Sequence, residues 1–264
     1  WTSLDSDIAL IFGNIAAGVN NGIVTLRFED NATGCENTIN ITVSERAAVN
    51  ITGDNAICMG QNSQLSPSSG GIWSSSNPSV ATVNNEGVIN GISGGSATFI
   101  FTEIATGCNS LPTPILTVYS LPDVSISGLS QICIGSTTTL IPESGGIWTS
   151  NNQNIATVDP NSGIVTGIDG GTTTFVYTSD LTGCTSLPSS PVIIYEEPVA
   201  NIAGPAIICI GGSTLLSPSD GGTWVSGDPS VATVTNTGIV SGSGSGTVSF
   251  TFTETANGCG DRKS

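Results

Sequence analysis

A segment of about 75 residues recurs along the chain, and this repetition constrains the fold more than any other feature of the sequence. The stretch GGIWSSSNPSVATVNNEGVINGISGGSATFIF begins at Gly70, and closely similar stretches begin at Gly145 and Gly221. Repetition at a fixed period is typical of chains in which one small structural unit is copied several times. The sequence therefore predicts several similar modules rather than one large domain.

The openings VNITG, VSISG and ANIAG mark the start of each copy and divide the chain into four segments. They predict modules over 47–122, 123–198 and 199–264, which we call repeats A, B and C. Residues 1–46, the half-repeat, match only the C-terminal half of a module, with Trp1 at the position of Trp73. Repeat C is expected to lack the last strand of a module. Either the chain is an excerpt of a longer repeat protein, which we favour because neither end carries a spare strand, or neighbouring subunits complete its ends by strand donation.

Apolar residues alternate with polar ones in the segment that follows the Gly-Gly turns at 94–95 and 170–171 and the turn at 242–246 of repeat C. Ala97, Phe99 and Phe101 share one face in repeat A, and a period of two indicates a β-strand with that face in the core. No segment has helical periodicity, and about seven short strands per repeat predict an all-β fold of antiparallel β-sandwiches. The side chains expected in the cores are Trp73, Trp148, Trp224, Phe99, Phe175 and Phe250.

Each repeat contains a cysteine, then a tryptophan, then a second cysteine, and the two cysteines are 50 or 51 residues apart. This order is that of immunoglobulin domains, in which a tryptophan packs beside a disulfide. Disulfides, free buried thiols and metal ligands are the alternatives, and metal binding is disfavoured because no Cys-x-x-Cys or Cys–His cluster occurs. We therefore expect one disulfide inside each repeat, stapling one pole of the sandwich, in an oxidising compartment. The expected pairs are Cys58–Cys108, Cys133–Cys184 and Cys209–Cys259, and Cys35 is left with its partner outside the chain.

The composition argues against several classes of function. The chain has no histidine, which removes the most frequent general base and metal ligand, and we predict no catalytic residue, no cofactor and no metal. Four basic and twenty acidic residues give a net charge of −16, which disfavours nucleic acid as a partner. No apolar run is long enough for a membrane span. Asp159, Asn161 and Gly163 resemble the ligand residues of a calcium-binding loop. The other repeats lack matching residues, so a turn explains this segment better.

The segment with Trp73 followed by SSSNPSVATV, the turn GVING and the strand GGSATFIF resembles the bacterial immunoglobulin-like group 2 modules of invasin- and intimin-type adhesins. The remainder of each repeat, from ICMG to QLSP and from TGC to the following strand, resembles the cysteine-containing repeats of large Bacteroidota surface adhesins. The first resemblance covers about half of each repeat. It implies tandem immunoglobulin-like sandwiches displayed at a bacterial surface and names no ligand.

The proline-containing linkers Tyr119–Asp123 and Tyr195–Val199 are short and stiff, so we expect the modules to form an extended rod. This predicts a non-enzymatic stalk or filament segment of an extracellular, cell-surface repeat adhesin. Its expected partners are neighbouring modules of the same or identical chains, with an unidentified host or surface ligand. Two alternatives stay open: a self-assembling extracellular filament subunit whose terminal half-modules are completed by other subunits, and spacer modules of a larger secreted enzyme.

Overall fold

The structure, a computed structural model, describes residues 1–263. All regular secondary structure in these residues is β-strand, with no helix. The strands follow from segments rich in Val, Ile and Thr that alternate between two faces and are separated by turns of Gly, Asn and Asp. The chain divides into two compact units, Trp1–Ser120 and Leu121–Ser264. The predicted all-β class is confirmed.

The half-repeat contains five strands. β4 lies between β1 and β5 in a three-stranded sheet, and β2 pairs with β3 in a hairpin. The strands are β1 (Thr2–Ser3), β2 (Ala9–Phe12), β3 (Ile15–Gly18), β4 (Gly22–Glu29) and β5 (Glu36–Val43).

Repeat A is a complete two-layered sandwich of nine strands. They are β6 (Asn50–Ile51), β7 (Ala56–Cys58), β8 (Asn62–Ser66), β9 (Gly71–Ser75), β10 (Ala81–Val83), β11 (Val88–Gly91), β12 (Gly95–Ala97), β13 (Phe99–Glu103) and β14 (Leu116–Tyr119). One layer has the order β10-β11-β8-β6, and the other is formed by β9-β13 together with β12-β14-β7. Because only Thr98 separates β12 from β13, the two form one long strand. This order is immunoglobulin-like.

One strand pair differs from the predicted antiparallel arrangement. β7 runs parallel to β14, with Cys58 opposite Tyr119. The reason is that β6 pairs with β8 in one layer and the chain then crosses to the other layer. There β7 runs in the same direction as the last strand. The first strand of the sandwich is therefore shared between both layers.

Repeat B repeats this pattern in full, and repeat C repeats part of it. Repeat B has the strands β15 (Ser125–Ile126), β16 (Gln131–Cys133), β17 (Thr137–Ile141), β18 (Gly146–Ser150), β19 (Ala156–Val158), β20 (Ile164–Gly167), β21 (Gly171–Thr173), β22 (Phe175–Ser179) and β23 (Val192–Tyr195). Repeat C has β24 (Asn201–Ile202), β25 (Ser213–Ser217), β26 (Gly222–Ser226), β27 (Ala232–Val234), β28 (Ile239–Gly242), β29 (Phe250–Glu254) and β30 (Gly260–Lys263). Among the described residues, repeat C has no counterpart of β7, β12 or β14.

Four clusters of buried apolar side chains lie in the half-repeat and in repeats A, B and C. The division into four modules itself stays a prediction. Each repeat buries its tryptophan against an aromatic ring of the long strand, with centroid distances of 5.0 to 5.1 Å, and the indole N–H donates to a proline carbonyl at 2.8 to 2.9 Å. The side chains expected in the cores are all buried, with exposed fractions of 0 to 8%: Trp73, Trp148, Trp224, Phe99, Phe175 and Phe250.

Candidate functional site: a disulfide between consecutive repeats

The second cysteine of each repeat lies in a turn of constant geometry at the end of the long strand. In repeat C, Glu254 N–H donates to the carbonyl of Cys259 at 2.8 Å, and Gly258 N–H donates to the carbonyl of Glu254 at 2.9 Å. Gly258 has a φ of +75°, a conformation that glycine adopts without the steric cost of a side chain. The corresponding cysteines in the same turn are Cys35, Cys108 and Cys184.

The first cysteine of repeats A and B lies at the end of a parallel strand pair, next to the segment through which the chain leaves the repeat. Cys133, the last residue of β16, is opposite Tyr195, the last residue of β23. Cys58 is opposite Tyr119 in the same way. The first cysteine therefore marks the pole of the sandwich that leads to the following repeat.

The two cysteines of one repeat lie at opposite poles. In repeat B the long strand starts at Gly171, which is opposite Ile194 near Cys133. It ends at Ser179, whose N–H donates to the carbonyl of Cys184. Nine strand residues span roughly 26 Å, whereas the Cα atoms of a disulfide lie within about 7 Å of each other. A bridge within one repeat is therefore sterically impossible.

The structure instead links repeat B to repeat C. Cys133 is bonded to Cys259, 126 residues further along the chain, with a Cα–Cα distance of 5.6 Å. Cys58 and Cys184 are also disulfide-bonded, and the free cysteines of the described residues are Cys35, Cys108 and Cys209.

The three predicted pairs, Cys58–Cys108, Cys133–Cys184 and Cys209–Cys259, are therefore wrong. The spacing of the cysteines is constant because strand length sets it, and it separates two residues at opposite poles of one repeat. Cys35 is a free, exposed thiol, and a partner for it outside the chain stays a prediction.

The disulfide is held by the turn around Cys259. That residue is 1% exposed, and its N–H donates to Asn257 Oδ1 at 2.8 Å, while the Asn257 amide donates to the Glu254 carboxylate. On the other side, the Cys133 carbonyl accepts from Ser136 N–H at 3.0 Å. A covalent bond, buried on the Cys259 side and partly exposed at Cys133, therefore attaches repeat C to the pole at which the chain leaves repeat B.

A second recurring feature, which the sequence analysis missed, is a pair of buried hydroxyl groups beside the long strand. Ser186 Oγ accepts from Tyr177 N–H at 3.0 Å, and Ser189 Oγ accepts from Phe175 N–H at 3.1 Å. In repeat A, Ser110 and Thr113 make the same bonds. The signal in the sequence is the motif Ser-Leu-Pro-Thr or Ser-Leu-Pro-Ser shortly after the second cysteine. These hydroxyls replace a neighbouring strand along the edge of the long strand.

The turn at Asp159 uses its carboxylate internally. Asp159 Oδ1 accepts from the backbone N–H groups of Ser162 and Asn161 and from the Ser162 hydroxyl, at 2.8 to 3.0 Å, and these bonds lower the pKa of Asp159. Among the side chains that the structure describes, no three of His, Cys, Asp or Glu are grouped to hold a metal ion. None of the described residues forms a helix with the length and apolarity needed to cross a membrane.

Comparison with known proteins gives distant similarities. No protein-family model matches the chain. Ice-binding protein 1 of Shewanella frigidimarina (strain NCIMB 400) is 24% identical over 97% of this chain, and the chain spans 33% of the length of that protein. Among solved structures, one similar to this chain is the C-terminal 282-residue fragment of intimin, solved in complex with the intimin-binding domain of the translocated intimin receptor. Its TM-score is 0.35 at 15% identity, and the match covers 58% of this chain and 65% of that chain. Invasin, a bacterial integrin-binding protein, has a TM-score of 0.34 at 15% identity, over 94% and 65%.

Proposed function

We propose that the chain is a non-enzymatic structural stalk or filament segment of an extracellular, cell-surface repeat adhesin. The Cys133–Cys259 bond between consecutive repeats carries this proposal. A bond that joins two repeats keeps them connected as a unit when one of them is pulled, which is the property that a load-bearing stalk requires.

The extracellular location is supported by the disulfides, which persist in oxidising compartments and are rare in the cytosol. The charge of −16 and the resemblance of the repeats to immunoglobulin-like modules of surface adhesins agree with display in water outside the cell. The proline-containing linkers are expected to be short and stiff. Together these features favour a role in which the segment holds another part of the protein away from the cell surface and transmits force along the chain.

Small-angle X-ray scattering tests the stalk. A single compact domain of this length has a radius of gyration of about 18 Å, whereas modules about 30 Å long placed end to end give about 30 Å. We expect the larger value for the oxidised protein. The double variant Cys133→Ser/Cys259→Ser is the matched control, because it removes the bond and leaves the linkers unchanged. A radius near 18 Å for the oxidised wild type would refute the stalk.

A further inference from the structure

Repeat C contains an open apolar groove where repeats A and B hold a strand. The cavity has a volume of about 290 Å³ and runs into the core of the repeat. Its lining includes Ile208, Cys209, Val231, Val240, Val248 and Phe250. Among the apolar side chains of this lining are Val240 and Phe250, which belong to the core cluster of the repeat.

The corresponding space in the other repeats is filled by β14 and β23. Leu116 and Val118 of β14, and Val192 and Ile194 of β23, point into the cores with exposed fractions of 0 to 2%. Each of these strands pairs on both sides. β23 runs parallel to β16 and antiparallel to β21, and β14 relates to β7 and β12 in the same way.

Both flanks of the groove carry strand sequences that form no strand in repeat C. Residues 207–209 correspond to β7 and β16, and residues 246–248 correspond to β12 and β21, but none of them belongs to a strand. Ile208 is only partly buried, whereas its counterparts Ile57 and Ile132 are 3% and 5% exposed. The two flanks therefore present backbone groups and apolar side chains in position for a strand between them.

We infer that this groove binds an added β-strand with the pattern of β14 and β23, in which aliphatic residues alternate and a tyrosine follows. The occupant is the last strand of a repeat of this kind, as β23 is the last strand of repeat B. This occupant is indicated by the two internal examples, in which that pattern fills that space. By the register of β16 and β23, the tyrosine position lies opposite Cys209, as Tyr195 lies opposite Cys133. The inference stands independently of the stalk, because it concerns one groove and not the shape of the chain.

The register makes the inference testable by a covalent probe. Neighbouring strands lie about 4.8 Å apart, within the Cα–Cα range of about 4.4 to 6.8 Å that a disulfide bridges. A peptide Pro-Val-Ile-Ile-Cys, which has cysteine in place of Tyr195, is prepared as its mixed disulfide with glutathione. The Cys209 thiolate attacks the peptide sulfur, the new Cys209–peptide disulfide forms, and glutathione leaves as the thiolate.

We expect this peptide to modify Cys209 at least 10-fold faster than it modifies Cys35, which is also free and exposed. Rates are measured by mass spectrometry and divided by the rate of each thiol with oxidised glutathione, which corrects for intrinsic reactivity. The control peptide has Asp at the positions of Val192 and Ile194 and should lose the preference. Equal normalised rates at Cys209 and Cys35, or equal rates for both peptides, would overturn the inference.

A non-covalent measurement completes the test on the unmodified chain. Adding the peptide Pro-Val-Ile-Ile-Tyr-Glu, the sequence of residues 191–196, should shift the NMR methyl signals of Ile208 and Val248. Those of Ile57 and Ile132 should stay in place, because their repeats already hold the strand. Absence of saturable shifts at Ile208 and Val248, at peptide concentrations where the covalent probe reacts, would show that the strand does not seat in the groove.

Discussion

At the scale of single residues, the long strand depends on hydroxyl groups buried along its edge. Ser186 is 7% exposed and accepts from Tyr177 N–H at 3.0 Å. We expect Ser186→Ala to lower the free energy of unfolding by about 1–3 kcal/mol, because a buried amide is left without a partner. Urea denaturation measures the change. The control is Thr185→Ala, which removes an exposed hydroxyl pair with Thr178 and should cost less than about 0.5 kcal/mol; similar losses for both variants would contradict the role of Ser186.

The Asp159 turn predicts a pH dependence at the same scale. The backbone N–H of Ser162, then its hydroxyl and the N–H of Asn161, hold the pKa of Asp159 below its ordinary value of 3.8. A carboxyl whose pKa is lower in the folded state contributes stability above 3.8, and that stability is lost as the pH falls through the folded pKa. Asp159→Asn should therefore lower the melting temperature at neutral pH and have progressively less effect at acidic pH. A difference that is unchanged from pH 7 to pH 2 would contradict this linkage.

At the scale of elements, the cysteine turn requires a left-handed residue. Gly258 has a φ of +75°, and a Cβ added there would meet no atom within 4 Å, so any cost of a side chain arises from the backbone alone. We expect Gly258→Ala to lower the free energy of unfolding by about 1–2 kcal/mol. Gly258→Asn should recover part of this loss, because asparagine tolerates the left-handed region. Equal losses for Ala and Asn in thermal denaturation would show that the backbone conformation is not the cause.

The elements also show which parts of the structure a sequence pattern can predict. Alternation predicted the buried face of Ala97, Phe99 and Phe101, because a period of two needs no knowledge of neighbouring strands. The parallel pair of β7 and β14 could not be predicted, because it depends on where the chain crosses between layers. The predicted pairing of the cysteines was wrong for a related reason. The spacing from Cys133 to Cys184 repeats from one copy to the next, but only strand direction places these residues at opposite poles.

At the scale of the whole molecule, the disulfide pattern decides how many thiols the native protein contains. Four bonded cysteines among seven leave three free, Cys35, Cys108 and Cys209. Bridges within each repeat would leave only Cys35. Titration of the unreduced protein with a thiol reagent in denaturant should therefore give three thiols per chain. A count of one, as expected for bridges within each repeat, would contradict the structure.

The position of the bond between repeats can be read from a single digest, because the chain is cut favourably after glutamate. In the variant Cys108→Ser, which removes a free thiol, cleavage after Glu103, Glu143 and Glu254 separates the fragment 104–143, whose remaining cysteine is Cys133, from the fragment 255–264, which contains Cys259. Without reduction we expect these two fragments to remain joined. Pairing inside repeat C would instead join 255–264 to the fragment that contains Cys209.

The bond between repeats also predicts a change in thermal stability. A bridge over 126 residues restricts the unfolded chain by about 5 kcal/mol in the chain-entropy model. The variant Cys133→Ser/Cys259→Ser should therefore have a lower melting temperature than the wild type when both are oxidised, and nearly the same melting temperature as the wild type when both are fully reduced.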